Sequence, residues 1–183
     1  MTLVGVVLAD QSLFVDDFRA GERTFSLLTQ VVGRAGRGEK TGRAVIQTYT
    51  PRNDVILAAA EQDYDRFYDD EIRLRRLRRD PPFADHFTLT VTGPEEEPVR
   101  RACAQLCAAL RLSQEPYRAM EPEVLGPAPA PVVKLNNRYR YRITVVGQNE
   151  KPLRQLLAAY MKAFARRPEH RNMAVHTDCN LMD

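Results

Sequence analysis

Two adjacent prolines, Pro81 and Pro82, constrain the fold of this chain more than any other feature. Neither has a backbone N–H to donate, and each biases the residue before it toward extended backbone. No helix runs through such a pair, so the domain boundary is expected there. Residues 1–80 and 81–183 are then two domains of a 183-residue chain, each with its own order of apolar periods.

Before the prolines, residues 2–9 form a nearly continuous apolar run that ends in Asp10. Such a run predicts a strand buried on both faces, as in a parallel sheet. Residues 20–37 are helical in pattern, with Phe25, Leu28 and Val32 on one stripe flanked by Leu27 and Val31. Gly38 and Gly42 stand where that helix is expected to stop. Residues 43–49 predict a second strand, and residues 54–79, after Pro51, one long helix. This is a βαβ unit with a trailing helix, an α/β layout.

After the prolines the layout changes to α+β. Strands are expected over 83–91, 117–125, 138–147 and 173–177. Helical spacing joins Val99, Cys103, Leu106, Cys107 and Leu110, and again Leu153, Leu156, Leu157, Tyr160 and Phe164. Residues 126–131, GPAPAP, predict a turn or stiff connector. The order βαββαβ is that of a small ferredoxin-like domain.

The segment that carries chemistry is QVVGRAGRG, residues 30–38. Gln30, Gly33, Arg34 and Arg37 fall at i, i+3, i+4 and i+7, so one helical face joins an amide and two guanidiniums over bare glycine backbone. Each interior glycine costs a helix about 1 kcal/mol relative to alanine. Close approach of another surface is the usual compensation. Arginine is a permanently charged fork suited to phosphate oxygens, and phosphoryl transfer needs positive charge at the γ-phosphate. Ordinary surface arginines beside structural glycines are the alternative.

The longer stretch FRAGERTFSLLTQVVGRAGRG, residues 18–38, resembles motif VI of superfamily 2 helicases, in particular the PriA family of replication-restart helicases. TLVGVVLAD (2–10) resembles that family's motif V, and AVIQTYTP (44–51) its next strand. FYDDEIRLRRLRRDPPF (67–83) and LGPAPAPVVKLNNRYRYR (125–142) follow in the family's order. The resemblance implies that residues 1–80 are the end of a second RecA-like lobe and 81–183 a C-terminal domain. It implies that Gln30, Gly33, Arg34 and Arg37 engage ATP, with Arg37 as arginine finger and Arg34 beside it as γ-phosphate sensor. Gly5 and Asp10 correspond to motif V, which couples the DNA path to the nucleotide cleft. For Asp10 a cap or loop hydrogen bond is an equal alternative.

The sequence has no GxxxxGK[ST] loop, no acidic Mg²⁺ motif and none of the family's zinc-binding cysteine cluster. ATP and Mg²⁺ are therefore expected in the full-length protein, and no turnover by this segment alone. Cys103, Cys107 and Cys179 are odd in number and lack metal spacing, which predicts free thiols. His86, His170 and His176 are scattered, and the arginines of residues 71–79 read as a solvated helix face paired with nearby Asp69, Asp70 and Glu71.

The net charge is only +3, so the distribution carries more than the total. Within 132–154, Lys134, Arg138, Arg140, Arg142, Lys151 and Arg154 face only Glu150. In RYRYRITVV, residues 138–146, the three arginines share one strand face, opposite Tyr139, Tyr141, Ile143 and Val145. Such a row tracks a nucleic-acid backbone without reading bases. A solvated, glutamate-paired sheet face is the alternative. The family resemblance implies forked or single-stranded DNA, single-stranded-DNA-binding protein and other primosome proteins as partners. Lys151 and Arg154 are then the candidates for that binding protein's acidic tail. No apolar run reaches membrane-spanning length and no signal peptide is visible, so an intracellular setting without membrane partners is expected, which the family resemblance implies is the bacterial cytoplasm. Two other readings compete: a stand-alone binding module that reused a motor lobe, and another superfamily 2 motor such as a branch-migrating helicase. The intact QxxGRxGR face argues against the first. The DPPF and RYRYR stretches argue against the second.

Overall fold

The computed structural model describes residues 3–35, 42–112 and 122–180. The described residues divide into two compact units, one up to Arg78 and one from Arg79 on.

In the first unit, β1 (Leu3–Val6) and β2 (Arg43–Ile46) pair in parallel, with Leu3 opposite Arg43 and Val6 opposite Ile46. They are joined through α1 (Ala20–Ala35), as the apolar pattern predicts for a βαβ unit. Val6 and Ile46 face the core, where Phe25 and Leu28 of α1 are buried. The expected strand buried on both faces is not found: Leu3 is 62% and Val45 58% exposed. Only these two strands pair here among the described residues, and their one helical cover lies on the Val6 side. Leu27, placed beside the apolar stripe by its spacing, is also exposed.

The single helix expected over 54–79 is two helices, α2 (Asp54–Glu61) and α3 (Tyr64–Arg78). Asn53 caps α2 by accepting the Val55 N–H at 3.0 Å. Gln62 then takes left-handed backbone, φ 59°, and ends the helix. Asp63 Oδ1 accepts the Arg66 N–H at 3.0 Å and starts the next. Polar local hydrogen bonding thus breaks a run whose apolar period looks continuous. Ile56, Ala58, Ala59 and Phe67 complete the core, with the Phe25 and Phe67 rings stacked at 4.2 Å.

The second unit is α+β. Its order is β3 (Asp85–Gly93), α4 (Glu96–Leu112), β4 (Glu123–Leu135), β5 (Arg138–Gly147), α5 (Lys151–Ala165) and β6 (Ala174–Cys179). The strands form one antiparallel sheet in the order β4-β5-β3-β6. Leu89 and Val91 of β3 and Ile143 and Val145 of β5 pack against Val99, Cys103 and Leu106 of α4 and Leu153 and Leu157 of α5. Both helices therefore cover the same face. Burial raises the Cys103 thiol pKa to about 12 and also raises that of Cys107, so both are packing groups rather than nucleophiles.

Residues 126–131 are not a connector. They lie within β4, whose register against β5 shifts between Leu125 and Ala128 and again between Pro129 and Lys134. β4 is an edge strand, where prolines without N–H groups are tolerated. Gly126 takes φ +103°, and a Cβ there would lie 3.0 Å from the Arg142 carbonyl. Of the strand expected over 117–125, residues 117–121 lie outside the described residues. β4 turns into β5 through Asn136 and Asn137, both with positive φ (50° and 58°), the backbone of a two-residue hairpin turn.

Candidate functional site

α1 presents Gln30 and Arg34 together, one turn apart and both exposed. Among the described residues the Gln30 amide makes a long contact, 3.5 Å, to Ser26 Oγ. Arg37 and Gly38 lie outside the described residues. A Cβ on Gly33 would stand 3.1 Å from Gln62 Nε2. The same Gln62 amide donates to the Thr29 carbonyl at 3.4 Å. The close neighbour of Gly33 is therefore the left-handed residue that ends α2.

Two charged contacts hold α1 in place. Arg23 pairs with Asp17 at 2.8 Å, and Asp17 Oδ1 accepts the Arg19 N–H at the helix start. Arg75 of α3 donates to Glu71 at 2.8 Å and to Glu22 of α1 at 2.9 Å, with its guanidinium 5.5 Å from the Phe18 ring centroid. Burial opposes the charge on Arg75, and its bonds to Glu71 and Glu22 outweigh that burial and hold it protonated. The Glu71–Arg75 contact is visible as an i,i+4 spacing, whereas the Glu22 partner and the Gln62 contact leave no local sequence signal.

Asp10 is buried where β1 gives way to a short 3-10 turn. Its carboxylate accepts the Thr48 hydroxyl at 2.5 Å, the Thr50 hydroxyl, and the Tyr49 N–H at 2.8 Å. Those donors, Thr48 and Thr50 first, hold its pKa near 2, below the ordinary 3.8. Asp10 thus ties the end of β1 to the segment leaving β2. Gly5 lies opposite Val45 in register, and a Cβ at Gly5 would meet nothing within 4 Å. Packing among the described residues gives no reason for a glycine there.

In the second unit, Arg140 pairs in register with Thr92 and Arg142 with Thr90. Arg138 shares their face but is engaged: it donates to the Thr92 carbonyl at 3.2 Å and the Asn172 carbonyl at 3.0 Å. Lys134 sits elsewhere. It is in register with Tyr139, and its ammonium lies 4.8 Å from that ring's centroid, on the opposite face from the arginines. Lys151 is exposed at the first residue of α5. Arg154 donates to both the backbone and side-chain oxygens of Asn149 at 2.7 Å. Among the described residues, no group of His, Cys, Asp and Glu is arranged to hold a metal ion. No described helix is long and apolar enough to cross a membrane.

Residues 76–180 match the profile of the family described as the primosomal protein N C-terminal domain. The α+β unit is thus a domain of that class. The chain belongs to the PriA family. It is 37% identical over 180 residues to the replication restart protein PriA of Bacillus subtilis (strain 168), covering 98% of this chain and 22% of that protein. The protein of the same name from Synechocystis sp. is 42% identical over 148 residues, 79% of this chain and 17% of the relative. That of Rickettsia prowazekii is 34% identical over 178 residues, 97% and 26%. The chain therefore spans about a quarter or less of the curated relatives it matches.

Proposed function

We propose that this chain is part of an ATP-dependent superfamily 2 DNA helicase that acts in bacterial replication restart and primosome assembly. Residues 1–80 serve as the end of the second RecA-like lobe and residues 81–183 as a ferredoxin-like C-terminal domain. Gln30, Arg34 and Arg37 meet the phosphates of an ATP held, with its Mg²⁺, by a lobe this sequence does not contain. Arg37 acts as the finger that stabilises charge developing on the γ-phosphate, and Arg34 senses the same group. Gly5 and Asp10 belong to the link between the DNA path and that site. Arg138, Arg140, Arg142 and Lys134 contribute to DNA contact. Lys151 and Arg154 are candidates for the acidic tail of single-stranded-DNA-binding protein in the bacterial cytoplasm.

The observation that carries this reading is the exposed Gln30–Arg34 pair, one turn apart on one face of a helix whose first turn is held by the Asp17–Arg23 and Glu22–Arg75 ion pairs. The test places Arg34→Ala and Arg37→Ala in the polypeptide that unites this chain with its ATP-cradling lobe. DNA-dependent ATP hydrolysis is expected to fall about a thousandfold or more for Arg37→Ala, with ATP binding retained. Turnover unchanged by either substitution, or turnover by the present chain alone, overturns the reading.

A further inference from the structure

The end of α5 and the turn behind it concentrate positive charge. Residues 162–171 carry Lys162, Arg166, Arg167 and Arg171 against Glu169 alone, a net +3 that equals the net charge of the whole chain. The remaining residues are neutral in sum, so a polyanion is drawn to this end of the second unit. All four cations are exposed. Among the described residues Arg167 has a carboxylate partner in Glu169, at 4.0 Å, the outer limit of an ion pair, and Lys162, Arg166 and Arg171 have none.

The helix dipole accounts for only part of this. Cations near a helix C-terminus offset its negative end, as Lys162 in the last turn and Arg166 at the cap do. That effect falls off within one turn, and Arg171 stands beyond it, past the 3-10 turn Pro168–His170. The turn is also firmly held. His170 is buried, its ring stacks on Phe164 at 3.9 Å, and its Nδ1 lies 3.0 Å from the Phe164 carbonyl. The Met173 N–H donates to the His170 carbonyl at 2.8 Å, and Arg138 of β5 donates to the Asn172 carbonyl at 3.0 Å. The cations project from ordered backbone, so less freedom is lost when an anion binds them.

Their surroundings select the anion. No large hydrophobic side chain of residues 151–180 is exposed, and Leu156, Tyr160 and Met161 of α5 pack against the core. A helix that lies on a membrane pairs its cations with exposed Trp, Phe or Leu. Helical and extended peptides dock apolar side chains into grooves or pockets. Single strands stack their bases on exposed aromatic rings. The patch offers none of these. A duplex turns its bases inward and presents phosphates, which charge alone can hold.

We propose that Lys162, Arg166, Arg167 and Arg171 form a binding surface for the phosphate backbone of a nucleic-acid duplex, without reading its sequence. The surface goes beyond the reading above. Its four cations are none of those assigned there, Arg138 enters only as the anchor of the turn, and the patch stands whether or not the sheet arginines meet DNA.

The test is fluorescence anisotropy of a short labelled DNA duplex titrated with the chain across a salt series, beside a single strand of equal length. Replacing Arg166 and Arg167 together by alanine is expected to weaken duplex binding about tenfold or more, and to lower the slope of log affinity against log salt by about 2. Arg171→Ala alone should lower that slope by about 1. Arg166→Lys with Arg167→Lys keeps the charge and should keep the slope. Both arginines are exposed, so an unchanged melting temperature is expected and separates lost contact from lost fold. Arg140→Ala with Arg142→Ala reports on the sheet row separately, so either surface can fail without the other. Affinity and slope unchanged by the alanine pair overturn the proposal. So does a larger loss on the single strand than on the duplex, which would assign the patch to unpaired strands. Phosphatidylserine vesicles or polyglutamate bound as tightly as the duplex, and released by the alanine pair, would assign it instead to a membrane or an acidic protein segment.

Discussion

Asp10 shows how one carboxylate organises a loop. Bonds from Thr48, Thr50 and the Tyr49 N–H require the charged form, which is why its pKa is held near 2 rather than 3.8. A depressed carboxylate adds stability above its ordinary value and loses it as pH falls through its folded value. Asp10→Asn is therefore expected to lower the melting temperature at pH 7. The gap from the unsubstituted chain should narrow below about pH 3.8 and close near pH 2, as protonation weakens the native site too. Thermal melts across that range check this; a constant gap would assign the effect to shape rather than charge. Gly5 is the converse case, a residue type that nothing among the described residues of its unit demands.

At the scale of elements, α4 sits so close to β3 that the end of the strand has no room for a side chain. A Cβ at Gly93 would meet Val99 Cγ2 at 2.6 Å and Met173 Cγ at 3.1 Å, and Val99 is fully buried. Gly93→Ala is expected to destabilise the second unit by about 1–3 kcal/mol, the usual cost of overpacking. A denaturant melt reads this directly, and an unchanged midpoint would show that α4 yields at its first turn. β4 is governed by its place at the sheet edge. Three prolines in 127–131 would disrupt a central ladder, yet here they sit beside a single neighbour with two register shifts to absorb them. Proline also suits an edge because it blocks pairing with another strand.

At the scale of the whole molecule, the two units hold separate cores, one around Phe25, Leu28 and Phe67 and one around Leu89, Val99 and Ile143. The second includes fifteen buried residues from both helices and all strands but β6. Residues 79–183 expressed alone are accordingly expected to fold, with amide shifts of the sheet superimposable on those of the whole chain. A collapsed, poorly dispersed spectrum would show that this unit needs the first.

Much of this architecture was legible in the chain itself. Strict alternation in RYRYRITVV marks β5, whose bounds Arg138–Gly147 are those its pattern predicts, and the helical stripe through Val99, Cys103 and Leu110 is the buried face of α4. Periodicity succeeds there because side-chain direction within one strand or helix is a property of that element's own backbone. It also placed Gln30 and Arg34 together on one face. Tertiary structure alone decided what each group meets. The inclusion of GPAPAP in an edge strand and the Glu22–Arg75 contact across 53 residues depend on neighbours distant in sequence. The basic row shows the same division: alternation put three arginines on one face, but inter-strand register gave Arg138 to Thr92 and Asn172 and put Lys134 over Tyr139 on the other. Register is set by pairing between strands, and no local period encodes it.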